Sequence, residues 1–193
     1  MVGKYFLNMS KIGSKPIKIP ESIQLNLEDN TIGLKGKEGE MRFNIPSVLK
    51  LKREAVELKL ETINQEKKTK SLHGLYRQLI SNAMKGLETP WQKILEIVGT
   101  GYNVKLQGED LLFKIGFSHP VIFKKPAGIR FQVAGNNKVI VLGADKQLVG
   151  EIAYQIKKLK PPDAYKGKGI RYQGEIIKLK PGKKVKTASE GAA

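Results

Sequence analysis

TKSLHGLYRQLISNAMKGL, residues 69–87, is where the chain changes period. Leu72, Leu75, Tyr76, Leu79, Ile80 and Ala83 recur at three- and four-residue spacing, which predicts one amphipathic helix ending near Gly86. The text before it alternates at period two. Ile23, Leu25 and Leu27, then the turn-like Glu28-Asp29-Asn30, then Ile32 and Leu34, read as a hairpin. A further turn at Gly36–Gly39 leads to Met41, Phe43 and Ile45, stopped at Pro46. Val48, Leu49 and Leu51 follow, and Val56, Leu58 and Leu60 give one more strand. Upstream, the basic, proline-punctuated Lys11–Pro20 reads as an extended arm. The eight residues before Met9 add no periodic pattern and read as an extension outside the fold.

After Thr89-Pro90 the grammar repeats. A shift of 80 residues lays Gly36 on Gly116, Phe43 on Phe123 and Pro46 on Pro126. The strand around Leu58 then meets Lys138–Leu142, and the helix around Leu75 meets Gln147–Leu159, so the order of strands then helix recurs as in an internal duplication. Runs of strands followed by a helix favour α+β. The expected fold is therefore two tandem duplicated α+β domains, each a small antiparallel β-sheet packed with one α-helix, plus a basic C-terminal extension. The expected boundaries are 1–10 for an N-terminal arm, 11–90 and 91–160 for the domains, and 161–193 for the basic loop and tail. Asp145 should open the second helix, with Leu148, Ile152, Ile156 and Leu159 on its apolar face.

That helix runs into the most basic part of the chain, KKLKPPDAYKGKGIRYQGEIIKLKPGKKVK, residues 157–186, with eleven Lys and Arg against Asp163 and Glu175. From position 157 to the end, eleven bases face three acids, a surplus of eight out of a net charge of +17. Such a balance calls for an external polyanion. Pro161 and Pro162 stop the helix and put the cations on a loop. There Lys166, Lys168 and Arg171 alternate with Gly167 and Gly169, whose backbone can take φ > 0 and approach a sugar-phosphate chain. Tyr165 and Tyr172 offer rings for stacking on a splayed base. Lys160, Lys178, Lys180, Lys183 and Lys184 are read as further RNA contacts. A tail poor in apolar side chains, residues 181–193, is expected to stay mobile without RNA.

Catalytic signals fail one by one. Gly99-Thr100-Gly101 opens like a dinucleotide turn, but Val104 replaces the third glycine and the following YNVKLQG alternates like a strand, so a tight strand turn is expected. The two histidines, His73 and His119, fall in different expected domains without cysteine or clustered carboxylates, too few ligands for zinc. Ser71 and His73, two apart on a helix, point in different directions. No enzyme activity, cofactor, metal or small-molecule substrate is expected. With no cysteine, no apolar run near the roughly 20 residues that span a bilayer and no signal-peptide core, the reading is a cytosolic-type protein without a membrane partner. The rival reading is a DNA-architectural or general polyanion-binding protein, which would share the charge.

PPDAYKGKGIRY, residues 161–172, closely resembles the C-terminal signature of the bacterial-type family of large ribosomal subunit protein six. MSKIGSKPI, GTGYNVKLQG, GFSHPV and Ala144-Asp145-Lys146-Gln147 resemble other motifs of that family in the expected order, over residues 9–186. The resemblance implies a duplicated α+β fold bound to large-subunit ribosomal RNA in the cytoplasmic ribosome. It also implies a place among neighbouring ribosomal proteins at the stalk base, close to where translation factors dock. Carried over by position, the RNA-facing residues would be Tyr165, Lys166, Gly167, Lys168, Gly169 and Arg171. The resemblance gives no role to the first eight residues or to TASEGAA at the end.

Overall fold

The computed structural model describes residues 10–28, 30–54, 56–64 and 66–182. Lys183 and Lys184, nearly all of the expected mobile tail, Asp29 of the first turn and the eight residues before Met9 lie outside the described residues.

The chain forms two compact units. One comprises the described part of Met1–Gln92 with Pro126–Arg130 and Leu142–Glu151; the other comprises Lys93–Lys125, Phe131–Val141 and the described part of Ile152–Ala193. In the first unit, β2 (Gln24–Glu28), β3 (Thr31–Gly36) and β4 (Gly39–Asn44) form an antiparallel meander. Its registers, Leu25 on Leu34 and Ile32 on Phe43, keep the alternating apolar residues on one face. A second sheet has the order β1-β6-β5, from Ile17–Lys18, Glu57–Thr62 and Leu49–Glu54. Helix α1, Lys67–Glu88, packs on β3, β4 and β6. Between these elements, Ile32, Leu34, Leu58, Ile80, Met84 and Leu87 are sealed from water. Each such side chain contributes about 1.5–3 kcal/mol by burial.

The same plan recurs downstream. The strands β8 (Asn103–Gln107), β9 (Asp110–Lys114) and β10 (Val121–Phe123) form a meander like β2-β3-β4. The strands β7 (Trp91–Val98), β12 (Lys138–Gly143) and β11 (Ile129–Ala134) repeat the order β1-β6-β5. Helix α2, Lys146–Leu159, follows as α1 does. The duplicated α+β plan is thus present strand for strand, and the Asp145 carboxylate accepts the Gln147 N–H at 2.8 Å, as an N-cap should.

Four local expectations need correction. Lys11–Pro20 is no extended arm: residues 11–15 form a turn closed by Ser14 N–H on the Ser10 carbonyl at 3.0 Å. The turn is held on α1 by Arg77, which donates to the carbonyls of Lys15 and Pro16. Helix α1, expected to end near Gly86, continues two residues past it. It runs to Glu88 and stops because Thr89, preceding Pro90, is driven to extended dihedrals, φ −133° and ψ 120°. Leu75 is half exposed, whereas His73 lies fully buried on the inner face with Nε2 on the Leu60 carbonyl at 2.9 Å. Finally, the basic stretch is not all loop. Gly169–Tyr172 forms β13, antiparallel to β7 with Ile170 opposite Ile97, and Ile170 is wholly buried.

Candidate nucleic-acid interface

The sequence-predicted cations among the described residues, Lys160 to Lys180, fall within the second unit, where α2 ends. Lys157 and Lys158 in its last turn complement the negative end of the helix dipole. Pro161 and Pro162 then break the helix, and residues 160–170 close into a ring. The Ile170 N–H bonds the Lys160 carbonyl at 2.8 Å, and the Asp163 N–H bonds the Lys168 carbonyl at 2.9 Å. Asp163 organises the interior of the ring. Its carboxylate accepts the Lys166 N–H at 2.8 Å and the Tyr165 N–H at 3.3 Å, while its carbonyl accepts the Gly167 N–H at 2.9 Å. The chain beyond β13 folds back against this ring, with the Lys180 N–H on the Ala164 carbonyl at 2.8 Å.

The cations sort into two sets. Lys166, Lys178 and Lys180 are exposed and have no ion pair among the described residues. Tyr165 beside them is 59% exposed, free to stack. Three others hold internal partners, as does the Tyr172 ring. Lys168 Nζ lies 3.3 Å from the Thr100 hydroxyl, a neutral partner that leaves its charge uncompensated. Lys160 Nζ sits 4.7 Å above the Phe117 ring. Arg171 reaches Glu96 with Nε and an Nη at 3.4 and 3.3 Å, and Glu96 also faces Lys138 at 3.6 Å. Tyr172 is half-buried, its ring met by Lys157 at 4.7 Å and Lys93 at 5.6 Å. The structure therefore gathers Lys160 through Lys180 on one unit, but it uses Arg171 and Tyr172 to fasten the ring to β7 and α2.

Gly167 and Gly169 do sit at positive φ, +68° and +147°. Gly169 owes its identity to the protein itself. A Cβ there would lie 2.6 Å from the Pro161 carbonyl oxygen and 2.7 Å from Pro162 Cα, so its close approach is to the chain's own backbone.

Charge and spacing alone do not mark Asp163, Glu96, Glu175, Thr100 and Phe117 as participants. For Asp163 a signal exists, since an aspartate directly after Pro161-Pro162, four residues past the end of α2 and just ahead of a Gly/Lys run, suits a turn cap. The others are reached only through tertiary contact. The GTG stretch is a turn, with the Tyr102 N–H on the Gly99 carbonyl at 3.2 Å. The Tyr102 ring packs against Gly99 and Gly116, bringing the 99–102 turn beside the 116–120 loop.

Glu175 locks the return of the chain, accepting Lys157 Nζ at 2.6 Å and the Tyr172 N–H at 3.0 Å. These bonds, Lys157 first, hold its carboxyl below its ordinary pKa of 4.5. A depressed carboxylate stabilises the fold fully above that ordinary value, and the contribution disappears as pH falls through the lower folded value. Glu175→Gln should therefore lower Tm at pH 7 by a small amount, on the order of 2 °C. Melts from pH 6 to pH 3 should show that gap closing only in acid. A gap constant with pH would mean the carboxylate charge plays no part.

Among the described residues no group of three His, Cys, Asp or Glu side chains could hold a metal, and no helix is long and apolar enough to cross a membrane.

The sequence profile of a family described as Ribosomal protein L6 matches residues 19–89 and 98–173, the second segment taking in the whole ring and β13. The chain is 41% identical over 175 residues to the large ribosomal subunit protein uL6 of Synechococcus sp. (strain JA-3-3Ab), covering 91% of this chain and 97% of that one. It is 42% identical to uL6 of Moorella thermoacetica (strain ATCC 39073 / JCM 9320), covering 91% and 96%. It is likewise 41% identical to uL6 of Syntrophomonas wolfei subsp. wolfei (strain DSM 2245B / Goettingen), covering 91% and 98%.

Proposed function

The chain belongs to the ribosomal protein L6 family, and from that premise we propose that its ring and return segment, residues 160–180, bind large-subunit ribosomal RNA. It is a structural, non-catalytic constituent of the large ribosomal subunit. The observation that carries the RNA reading is the ring. Its backbone is closed on itself by four main-chain and two carboxylate hydrogen bonds from Lys160 to Lys180, so Lys166, Lys178, Lys180 and Tyr165 are presented outward on a fixed frame. Preorganised cations lose little freedom on meeting phosphates. Fixed spacing favours a folded RNA over any polyanion. Neighbouring ribosomal proteins at the stalk base, proximity to translation factors there, and the cytoplasmic ribosome as the working site follow from the signature resemblance.

Two measurements test this reading. On sucrose gradients the protein should co-migrate with large subunits at moderate salt and leave them only at high salt. Migration as a free protein, or with DNA, would overturn it and favour general polyanion binding. In filter binding with purified large-subunit ribosomal RNA, neutralisation of about six phosphates gives a log–log salt slope of roughly −4 to −5. Lys166→Ala should reduce that slope by about one. Arg171→Ala should reduce it by less, because Glu96 already answers that charge. A slope near zero would mean the cations do not touch the RNA backbone.

A further inference from the structure

We infer that Phe117, in the 116–120 loop, is a stacking platform for an unpaired RNA base, backed by Lys160. The inference rests on the reading of residues 160–180 as an RNA-binding ring, and it adds a second loop and a second kind of contact. Residues 116–120 are all exposed, and Phe117 is 46% exposed in a chain whose other phenylalanines are buried or half-buried wherever the structure describes them. A lone exposed phenylalanine is unremarkable; the surroundings of this one are not. Lys160 Nζ lies 4.7 Å from its ring centroid, and Lys160 is the residue whose carbonyl closes the neck of the ring through the Ile170 N–H. The loop is also fixed from below, because the Tyr102 ring packs against Gly116 and Gly99, and the same turn supplies the Thr100 hydroxyl that meets Lys168. Three segments, 99–102, 116–120 and 160–168, thus converge within the second unit and set an aromatic face among uncompensated cations.

That combination selects its ligand class. A cation over a ring draws on the negative π face, and a nucleobase stacked on such a ring brings its phosphate within reach of the same cations. An apolar protein surface would instead have to desolvate Lys160, Lys166 and Lys168 without neutralising them. The occupant that fits is a splayed base of single-stranded or looped RNA.

The test is filter binding to purified large-subunit ribosomal RNA with Phe117→Ala, Phe117→Leu and Phe117→Trp, each checked for an unchanged melt. Stacking predicts that Ala and Leu both weaken binding about tenfold or more with an unchanged salt slope, while Trp binds as tightly as the wild type. Should Ala prove unstable, Leu carries the comparison, since it keeps the volume and lacks the ring. Wild-type affinity in Leu would overturn the stacking role and leave the ring's RNA binding standing. So would a weakening in which the slope drops by one, because Phe117 would then act by placing the Lys160 charge. Failure of the wild type to bind would overturn the parent reading and this one together.

Discussion

Gly86→Ala should destabilise the first unit by about 3 kcal/mol or more, an unusual outcome for replacing a glycine inside a helix. Alanine is the better helix former by about 1 kcal/mol, so the default expectation has the opposite sign. The contact decides it. A Cβ at Gly86 would stand 1.9 Å from the Ala144 carbonyl oxygen and 2.8 Å from the Trp91 ring. The Trp91 indole is pinned by its N–H on the Asn82 carbonyl at 3.0 Å and by Lys146 lying 4.5 Å over its face. Relief therefore requires moving backbone, not swinging a flexible side chain. In a thermal melt followed by circular dichroism the cost should appear as a fall of about 6–12 °C. Gly150→Ala is the internal control. It lies within α2 with nothing inside 4 Å of the added carbon, and it should gain about 0.5–1 kcal/mol. Equal melts for the two variants would mean that α1 does not lie against Ala144 as described.

Gly86 also shows where the sequence stops being legible. As text, a glycine near the end of a helical period reads as a C-terminal stop, and the true stop, Thr89-Pro90, lies three residues further on. Nothing local distinguishes a glycine that ends a helix from one that lets a distant carbonyl approach. Period, by contrast, is local, so the strands around Leu25, Leu34 and Phe43, the turn at Gly36–Gly39 and the two helices could be read directly. The strand β13 could not. It is four residues long, its one fully buried side chain is Ile170, and its partner β7 is more than seventy residues away. The candidate site divides the same way. Its cations are visible as composition, but composition is silent on which of them are spent internally. Arg171 looks as available as Lys166 until Glu96 is brought beside it across a 75-residue separation. His73, too isolated as text to be a metal ligand, belongs to the core, because helical spacing puts it on the stripe with Thr69 and Ile80.

Gly169→Ala should cost the protein its RNA affinity by about a hundredfold or more, whereas Gly167→Ala, two residues earlier, should cost only about fivefold. Both glycines hold positive φ, but Gly167 at +68° lies in the left-handed helical well, where an alanine costs about 1–2 kcal/mol, whereas Gly169 at +147° lies outside that well, where an L side chain is disfavoured further. They differ also in what surrounds them. At Gly167 the nearest atom to a new Cβ is the flexible end of Leu179 at 3.5 Å, ordinary contact, and the ring can stay closed. At Gly169 the new atom meets the Pro161 carbonyl oxygen at 2.6 Å and Pro162 Cα at 2.7 Å, both on a stretch stiffened by two prolines. Either the Ile170–Lys160 bond opens or β13 shifts on β7. The first releases the neck of the ring, and the second pulls at Ile170, which is wholly buried. In both cases Lys166 and Lys168 leave their fixed spacing and the preorganisation is lost. Removing a charge would flatten the salt slope; removing order should not. Gly169→Ala should therefore weaken binding to large-subunit ribosomal RNA while its residual binding keeps a slope close to wild type. Hydrogen exchange at the Lys166 and Gly167 amides, protected by Asp163 in the wild type, should speed up in Gly169→Ala and change less in Gly167→Ala. Unaltered exchange together with lost affinity would instead place RNA itself against Gly169, and the ring's closure would no longer explain why that position is glycine.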